Sequence, residues 1–457
     1  MKPILFNAFD MAAPGHIQQG MWRHPRDRSR DYARLEHWTS LARLLERGLF
    51  DGLFLADVLG VYDVYEGSPD AALHGAVQVP LLDPLLLVPA MAAVTTHLGF
   101  GVTCNLVHEP PYLFARRMST LDHLTAGRIG WNIVTGYLDS AARALGHDGQ
   151  MRHDDRYDLA DEYMEAVYAL WEASWADDAV RRDPTTVYVD AARVRPVVHR
   201  GAQYRLDAMH LCEPSPQRTP VLYQAGASER GRAFAARHAE CVFVNGSSQA
   251  VVAELVADLR TRSAPRPIRV FVGATVVVAR TEREARELLA DYAACVDAQS
   301  VLAHASASLG VDLSRFGLDE PVVVESTEAI RSNSAAMVRV AGSAWTPRDL
   351  LARSVLGSRQ PPIVGDPTQV ADALQAWVER TGVDGFNLSR TVMPECLDGF
   401  VELVVPLLQE RGVYRTGYGP GTLRDKLFGQ GARLRAPHPA VSHRAWWASP
   451  GGEAGAS

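Results

Sequence analysis

The chain has 457 residues, 47% of them hydrophobic and 22% charged, with a net charge of −7. That is the composition of a folded globular protein, and with acidic and basic residues mixed along the chain it excludes a basic nucleic-acid footprint. No apolar run reaches membrane-span length, because Asp83, Pro84 and Pro89 interrupt the longest one, and the N-terminus lacks the apolar segment of a signal peptide. The five cysteines, Cys104, Cys212, Cys241, Cys295 and Cys396, form no CxxC pair, so reduced thiols and a cytoplasmic location are expected.

In chain order, eight short apolar runs end in a small or polar residue: 4–9, 52–57, 98–104, 128–135, 220–226, 241–246, 268–278 and 385–389. Helix-period stretches separate most of them, so the strands are expected to be parallel. Eight strand–helix units predict an α/β fold, a closed (β/α)8 TIM barrel. In such a barrel the active site lies at the C-terminal strand ends, which here carry Asp10, Asp57, Thr103, Asn132, Ser228, Asn245 and Asn387. Cys104 also ends a run and is expected to face the site.

The helices carry readable ends. A stripe of Leu35, Trp38, Leu41, Leu44 and Leu45 predicts a helix over 31–47, stopped by Gly48. A further helix is expected over 154–173. Thr281 with Glu284 forms a capping box, and Asp366-Pro367 opens a helix over 367–380. Two stretches exceed loop length, and are read as insertions at the C-terminal face of a single domain spanning 1–436. The first, 175–219, predicts a hairpin around 186–190 and 203–207; the second covers 311–364. The tail 437–457 is expected to be flexible.

No HxH or HExxH motif is present, so no metal site is expected, although His16, His24, His108, His147 and His153 lie near strand ends. The GxSxG elbow of serine hydrolases and the GxGxxG dinucleotide fingerprint are absent. An anion site has better support. The fifth run ends Gln224-Ala225-Gly226, and Ala227-Ser228 then open a helix whose first free N–H groups suit a phosphate. A plain capped helix accounts for the same residues. His153 and Tyr157 lie one turn apart on one helix face and could donate to a phosphate or a planar ring.

Several segments resemble the nitrilotriacetate/dibenzothiophene-sulfone monooxygenases, flavin-dependent relatives of bacterial luciferase. They include Phe9-Asp10-Met11, Gly15-His16, Gly20-Met21-Trp22-Arg23-His24-Pro25, Leu121-Asp122-His123-Leu124, Gly130-Trp131-Asn132-Ile133-Val134-Thr135, His153-Asp154-Asp155-Arg156-Tyr157, Gln224-Ala225-Gly226-Ala227-Ser228 and Gly365-Asp366-Pro367. The resemblance implies that Asp57, Thr103, Asn132, His153, Tyr157, Ala227 and Ser228 contact FMN, with Thr103, Asn132 and His153 nearest the chemistry. It also implies the oxygenase component of a two-component system. Reduced FMN would come from a separate NAD(P)H:flavin reductase, and dioxygen would give one atom to a small nitrogen- or sulfur-containing substrate. A homodimer or homotetramer is expected. The alternatives are a deazaflavin-dependent oxidoreductase on the same barrel and a flavin-binding protein without catalysis. One departure matters: where the family pattern has small hydroxyl residues after Thr103, this chain has Cys104-Asn105-Leu106-Val107-His108.

Overall fold

The computed structural model describes residues 3–226, 228–246, 248–322, 345–357 and 361–448. Ala227, Ser247, residues 323–344 and 358–360 of the second insertion, and the end of the tail lie outside the described residues. The strands, in chain order, are β1 (Leu5–Met11), β2 (Gly52–Ala56), β3 (Gly99–Asn105), β4 (Ile129–Val134), β5 (Val197–Arg200), β6 (Arg205–Ala208), β7 (Val221–Gln224), β8 (Cys241–Val244), β9 (Arg269–Val278), β10 (Ile363–Gly365) and β11 (Gly385–Ser389). All eight expected runs are strands. They pair in parallel in the order β9-β11-β1-β2-β3-β4-β7-β8, and β8 pairs with β9 to close the barrel. Short β10 adds to the far end of β9, with Ile363 opposite Val276.

Strand alternation sorts the side chains into two cores. Leu5, Phe54, Val221, Tyr223, Cys241 and Phe271 fill the interior, with Phe9 packed against them. Leu423, Leu427 and Phe428, from the helix Leu423–Phe428, belong to the same cluster and close the end of the barrel where the strands begin. That plug is tied down by a buried Arg424, whose Nε and Nη2 reach Glu240 at 2.7 and 2.9 Å. The outward residues, among them Phe6, Val102 and Trp131, pack under the surrounding helices. The interior is therefore solid at its N-terminal end, and ligand space is left at the C-terminal mouth.

The expected helix over 31–47 begins as the 3-10 turn Ser29–Asp31 and continues as the helix Leu35–Arg47. Trp38, Leu41, Leu44 and Leu45 are buried, but Leu35 in the first turn is exposed. The helix His153–Tyr168 ends in a π-helical turn, Ala169–Ala173. Both expected caps form: Thr281 with Glu284, and Asp366 with Gln369 at the start of the helix Pro367–Thr381.

The insertions need correction. The first leaves a helix that runs antiparallel to the strands, so it emerges away from the mouth and lines the outer wall. Its hairpin pairs β5 with β6, Val197 opposite Ala208, and not 186–190 with 203–207. The decisive contact is Glu162, whose carboxylate accepts from the Gln203 and Tyr204 amides at 2.9 and 2.7 Å and docks the turn on the helix His153–Tyr168. The tail does not begin as a flexible segment. His438 and Ala440 are buried, and the Trp447 indole donates to Ala173 O at 2.9 Å.

Candidate active site

At the mouth, β3 and β4 run in register, Thr103 opposite Asn132. The Asn132 amide donates to Thr103 Oγ at 2.8 Å. Both residues are buried, and Asn132 Oδ1 has no protein partner. A buried amide oxygen without a partner costs about 1–3 kcal/mol, so its position is suited to a ligand donor. Cys104 does not face this site. Alternation turns it outward with Phe100 and Val102 against the outer core, and burial, followed by the nearby Asp57 charge, pushes its thiol pKa well up. A thiol raised in this way is protonated at neutral pH and is a poor nucleophile. Thr103 and Asn105 are the inward positions.

Asp57 follows β2 at the rim. Burial, reinforced by the Asp83 charge, raises its pKa to about 7. A carboxyl in this state can donate as well as accept near neutral pH.

Across the mouth, β7 leads into the helix Glu229–His238. Ser228 is its N-cap, extended at φ −68° and ψ 162°, and its hydroxyl accepts from Gly231 N at 3.0 Å. The expected cap is present. The Tyr157 hydroxyl pairs with Ser228 and Gln224, and burial raises its pKa against the lowering effect of those hydrogen bonds. The turn needs its glycines: a Cβ on Gly226 would lie 2.9 Å from the Tyr157 hydroxyl, and one on Gly231 would lie 2.8 Å from it. Gln224 Oε1 has no protein partner. The helix N-terminus, the phenol and the close-packed glycines make a cradle for an anion. His153 lies one turn before Tyr157, with ring centroids 5.2 Å apart and Nδ1 2.7 Å from Asp154 Oδ1.

Not every strand-end residue joins this group. Asp10 faces away from the interior and pairs with Arg390 at 2.9 Å. Asn387 lies deep in the barrel and accepts from the Asn7 amide at 2.9 Å. Ala227 lies outside the described residues.

Sequence reasoning missed a second polar group at the mouth. Tyr62 donates to Gln78 Oε1 at 2.7 Å and shares a 2.6 Å hydrogen bond with Tyr137. The Gln78 amide reaches His304 Nε2 at 3.2 Å. These residues come from the loops after β2 and β4 and from the helix Ala298–Leu309. Their sequence distance hid them, although Tyr137, three residues beyond β4, could have been read from its place at a strand end. Val58, Val64, Leu138 and Ala141 pack around them, giving this side an apolar surround. Among the described residues no cluster of His, Cys, Asp and Glu could hold a metal ion, and no helix is long and apolar enough to cross a membrane.

Comparison with known proteins agrees with the geometry. The family described as luciferase-like monooxygenase matches residues 11–385. A long-chain alkane monooxygenase from Geobacillus thermodenitrificans is 47% identical over 450 residues, 97% of this chain and 98% of that protein. A dimethyl-sulfide monooxygenase from Hyphomicrobium sulfonivorans is 44% identical over 451 residues, 97% of this chain and 94% of that protein. The crystal structure of a riboflavin lyase with modified FMN and riboflavin superposes with a TM-score of 0.90 at 37% identity, covering 97% of this chain and all of that one. The chain thus belongs to the luciferase-like monooxygenase family, to which its motifs pointed, and is an FMN-dependent monooxygenase.

Proposed function

We propose that this chain is the oxygenase component of a two-component system, taking reduced FMN from a separate NAD(P)H:flavin reductase and inserting one oxygen atom of dioxygen into a small nitrogen- or sulfur-containing substrate. The observation that carries this reading is the pairing of an anion cradle at Tyr157 and Ser228 with the unpartnered amide oxygen of Asn132 across the same mouth. The residues present fit FMN: a phosphate is suited to the cradle, and the polar edge of a flavin ring to Asn132, Thr103 and Asp57.

Bound reduced FMN supplies the electrons that activate dioxygen. The chain's own residues do the rest. Ser228, Tyr157 and the first-turn amides would hold the phosphate, with Ala227 beside them by resemblance. Asp57 would accept from or donate to the ring or ribityl chain. Thr103, Asn132 and His153 would supply preorganised polar groups where oxygen becomes charged. The Tyr62–Gln78–His304 chain and Tyr137 would face the substrate. The apolar side chains around them would keep water out.

The five cysteines are all free thiols, which supports a cytoplasmic location. Leu86 and Leu113, exposed on neighbouring helices, support assembly as a homodimer or homotetramer. The test is a screen of thioethers, tertiary amines and alkanes with reduced FMN under air, with and without an added reductase. Product from the thioethers or the amines, in amounts that track the reduced FMN supplied, supports the reading, and product from the alkanes alone overturns its substrate class. Substrate consumption that needs no flavin refutes it.

A further inference from the structure

Arg390 and Asp10 form an ion pair with side chains only 4% and 3% exposed, joined at 2.9 Å. Asp10 Oδ1 also accepts from Met11 N at 2.7 Å. The guanidinium does more than neutralise this charge: Nη2 donates to Ala13 O at 2.7 Å and to Pro14 O at 3.1 Å. One side chain thereby ties the end of β11, the end of β1 and the loop that follows β1. From the other side, the loop is wedged at Gly15, where a Cβ would lie 2.0 Å from Ala76 O.

The loop so held carries His16. Its ring meets Phe9 edge-on at 4.5 Å, and Phe9 in turn packs on Phe54 at 5.6 Å and Phe243 at 5.2 Å. All three rings come from barrel strands, so His16 packs on the aromatic layer of the interior. Its Nδ1 has no protein partner.

We propose that the Arg390–Asp10 pair is the positioning device of this site, fixing the loop after β1 so that His16 stands over the aromatic layer and faces the substrate. The proposal rests on the monooxygenase reading above. Burial first, then the Arg390 and His304 charges, hold the His16 pKa well below its ordinary value. His16 is accordingly a neutral imidazole that can take part in a hydrogen bond to substrate without bringing charge into the mouth. A buried ion pair that only filled space could be exchanged for apolar side chains at little cost. This one places two of its donors on loop carbonyls, and a positioning role requires those donors.

Two measurements test it. The first is amide hydrogen exchange of the resting protein, comparing wild type with Arg390→Lys, which keeps the charge but loses the fork. Exchange in the segment 11–16 is expected to rise about tenfold or more, with β3 and β4 unchanged. Unchanged exchange there overturns the clamp, and a rise spread over the whole chain makes the pair a general fold element and also overturns it. Asp10→Asn, nearly the same in volume, replaces Arg390→Lys if that variant does not fold.

The second is a double-mutant cycle with His16→Gln, using methyl phenyl sulfide as the probe and reading product formed per reduced FMN oxidised. Arg390→Lys is expected to lower this ratio about threefold or more in the wild-type background, and by less than about twofold once His16 is Gln. Equal losses in both backgrounds mean that Arg390 does not act through His16. If wild type oxidises no thioether or amine of the screen above, the functional reading falls instead, and the exchange experiment still decides the clamp.

Discussion

Replacing Ser228 by Asp sets a negative charge into the cradle while sparing the fold, because Asp caps helices as well as Ser does. The Ser228 hydroxyl already accepts from Gly231 N at 3.0 Å, and a carboxylate would keep that role. What changes is the ligand side. A carboxylate about 4 Å from a phosphate charge repels it by about 4 kcal/mol at the effective dielectric of a protein surface. That corresponds to about a thousandfold in affinity. Ser228→Ala loses the cap on Gly231 N and, on the ligand side, a hydrogen bond to a charged group, about 1.5–3 kcal/mol, or roughly tenfold to a hundredfold in affinity. Reduced riboflavin lacks the phosphate and should respond little to either change. The assay is anaerobic titration of reduced FMN and reduced riboflavin into the three proteins, with thermal melts as a check on folding. Wild type should prefer FMN strongly, and Ser228→Asp should erase most of that preference. Equal wild-type affinity for the two flavins would refute the cradle, leaving Ser228 as a helix cap and nothing more.

Asn132→Ala removes the buried acceptor offered to a flavin N–H, a hydrogen bond worth about 0.5–1.5 kcal/mol, so FMN binding and product per reduced FMN should each fall by up to about tenfold while hydrogen peroxide rises; binding and coupling equal to wild type would make Asn132 structural. The Asp57 pKa is raised to about 7, so between roughly pH 4 and 7 the folded state holds a proton that the unfolded state has lost. Its contribution to stability is present below the unfolded value and is lost as pH rises through about 7. Asp57→Asn should therefore flatten the fall in stability between pH 5 and 8 seen by urea unfolding, and an unchanged slope would show that Asp57 is ionised throughout. Glu240→Gln leaves Arg424 buried without its counter-ion and should cost about 3–5 kcal/mol; a loss under about 1 kcal/mol in urea unfolding would mean that the plug does not depend on this pair.

The barrel was legible because each strand is an apolar run with a clear end, and because β1 to β4 and β7 to β9 alternate with helices. The cap at Ser228 was legible for the same reason: its signal is local. The errors came where local pattern and tertiary contact part. Cys104 ends a strand, yet a strand end fixes a position and not a face, and the register with β4 turns Thr103 inward instead. The hairpin of the first insertion was misplaced because its position depends on the Glu162 carboxylate, remote in sequence from Gln203 and Tyr204. Arg390 lies directly after β11 and reads as one arginine among many until the fold brings Asp10 beside it. The same holds for the pairing of Tyr62 with Tyr137 and of Gln78 with His304.

The central claim, that this chain uses reduced FMN to place one atom of dioxygen into an organic substrate, is tested most directly by isotope. The protein is mixed anaerobically with reduced FMN and the thioether or amine found in the screen, then exposed to 18O2, and the product is weighed by mass spectrometry. The account requires one 18O atom in each product molecule, none from labelled water, and no product without dioxygen. Product formed anaerobically with a reduced deazaflavin, or oxygen drawn from water, would contradict it.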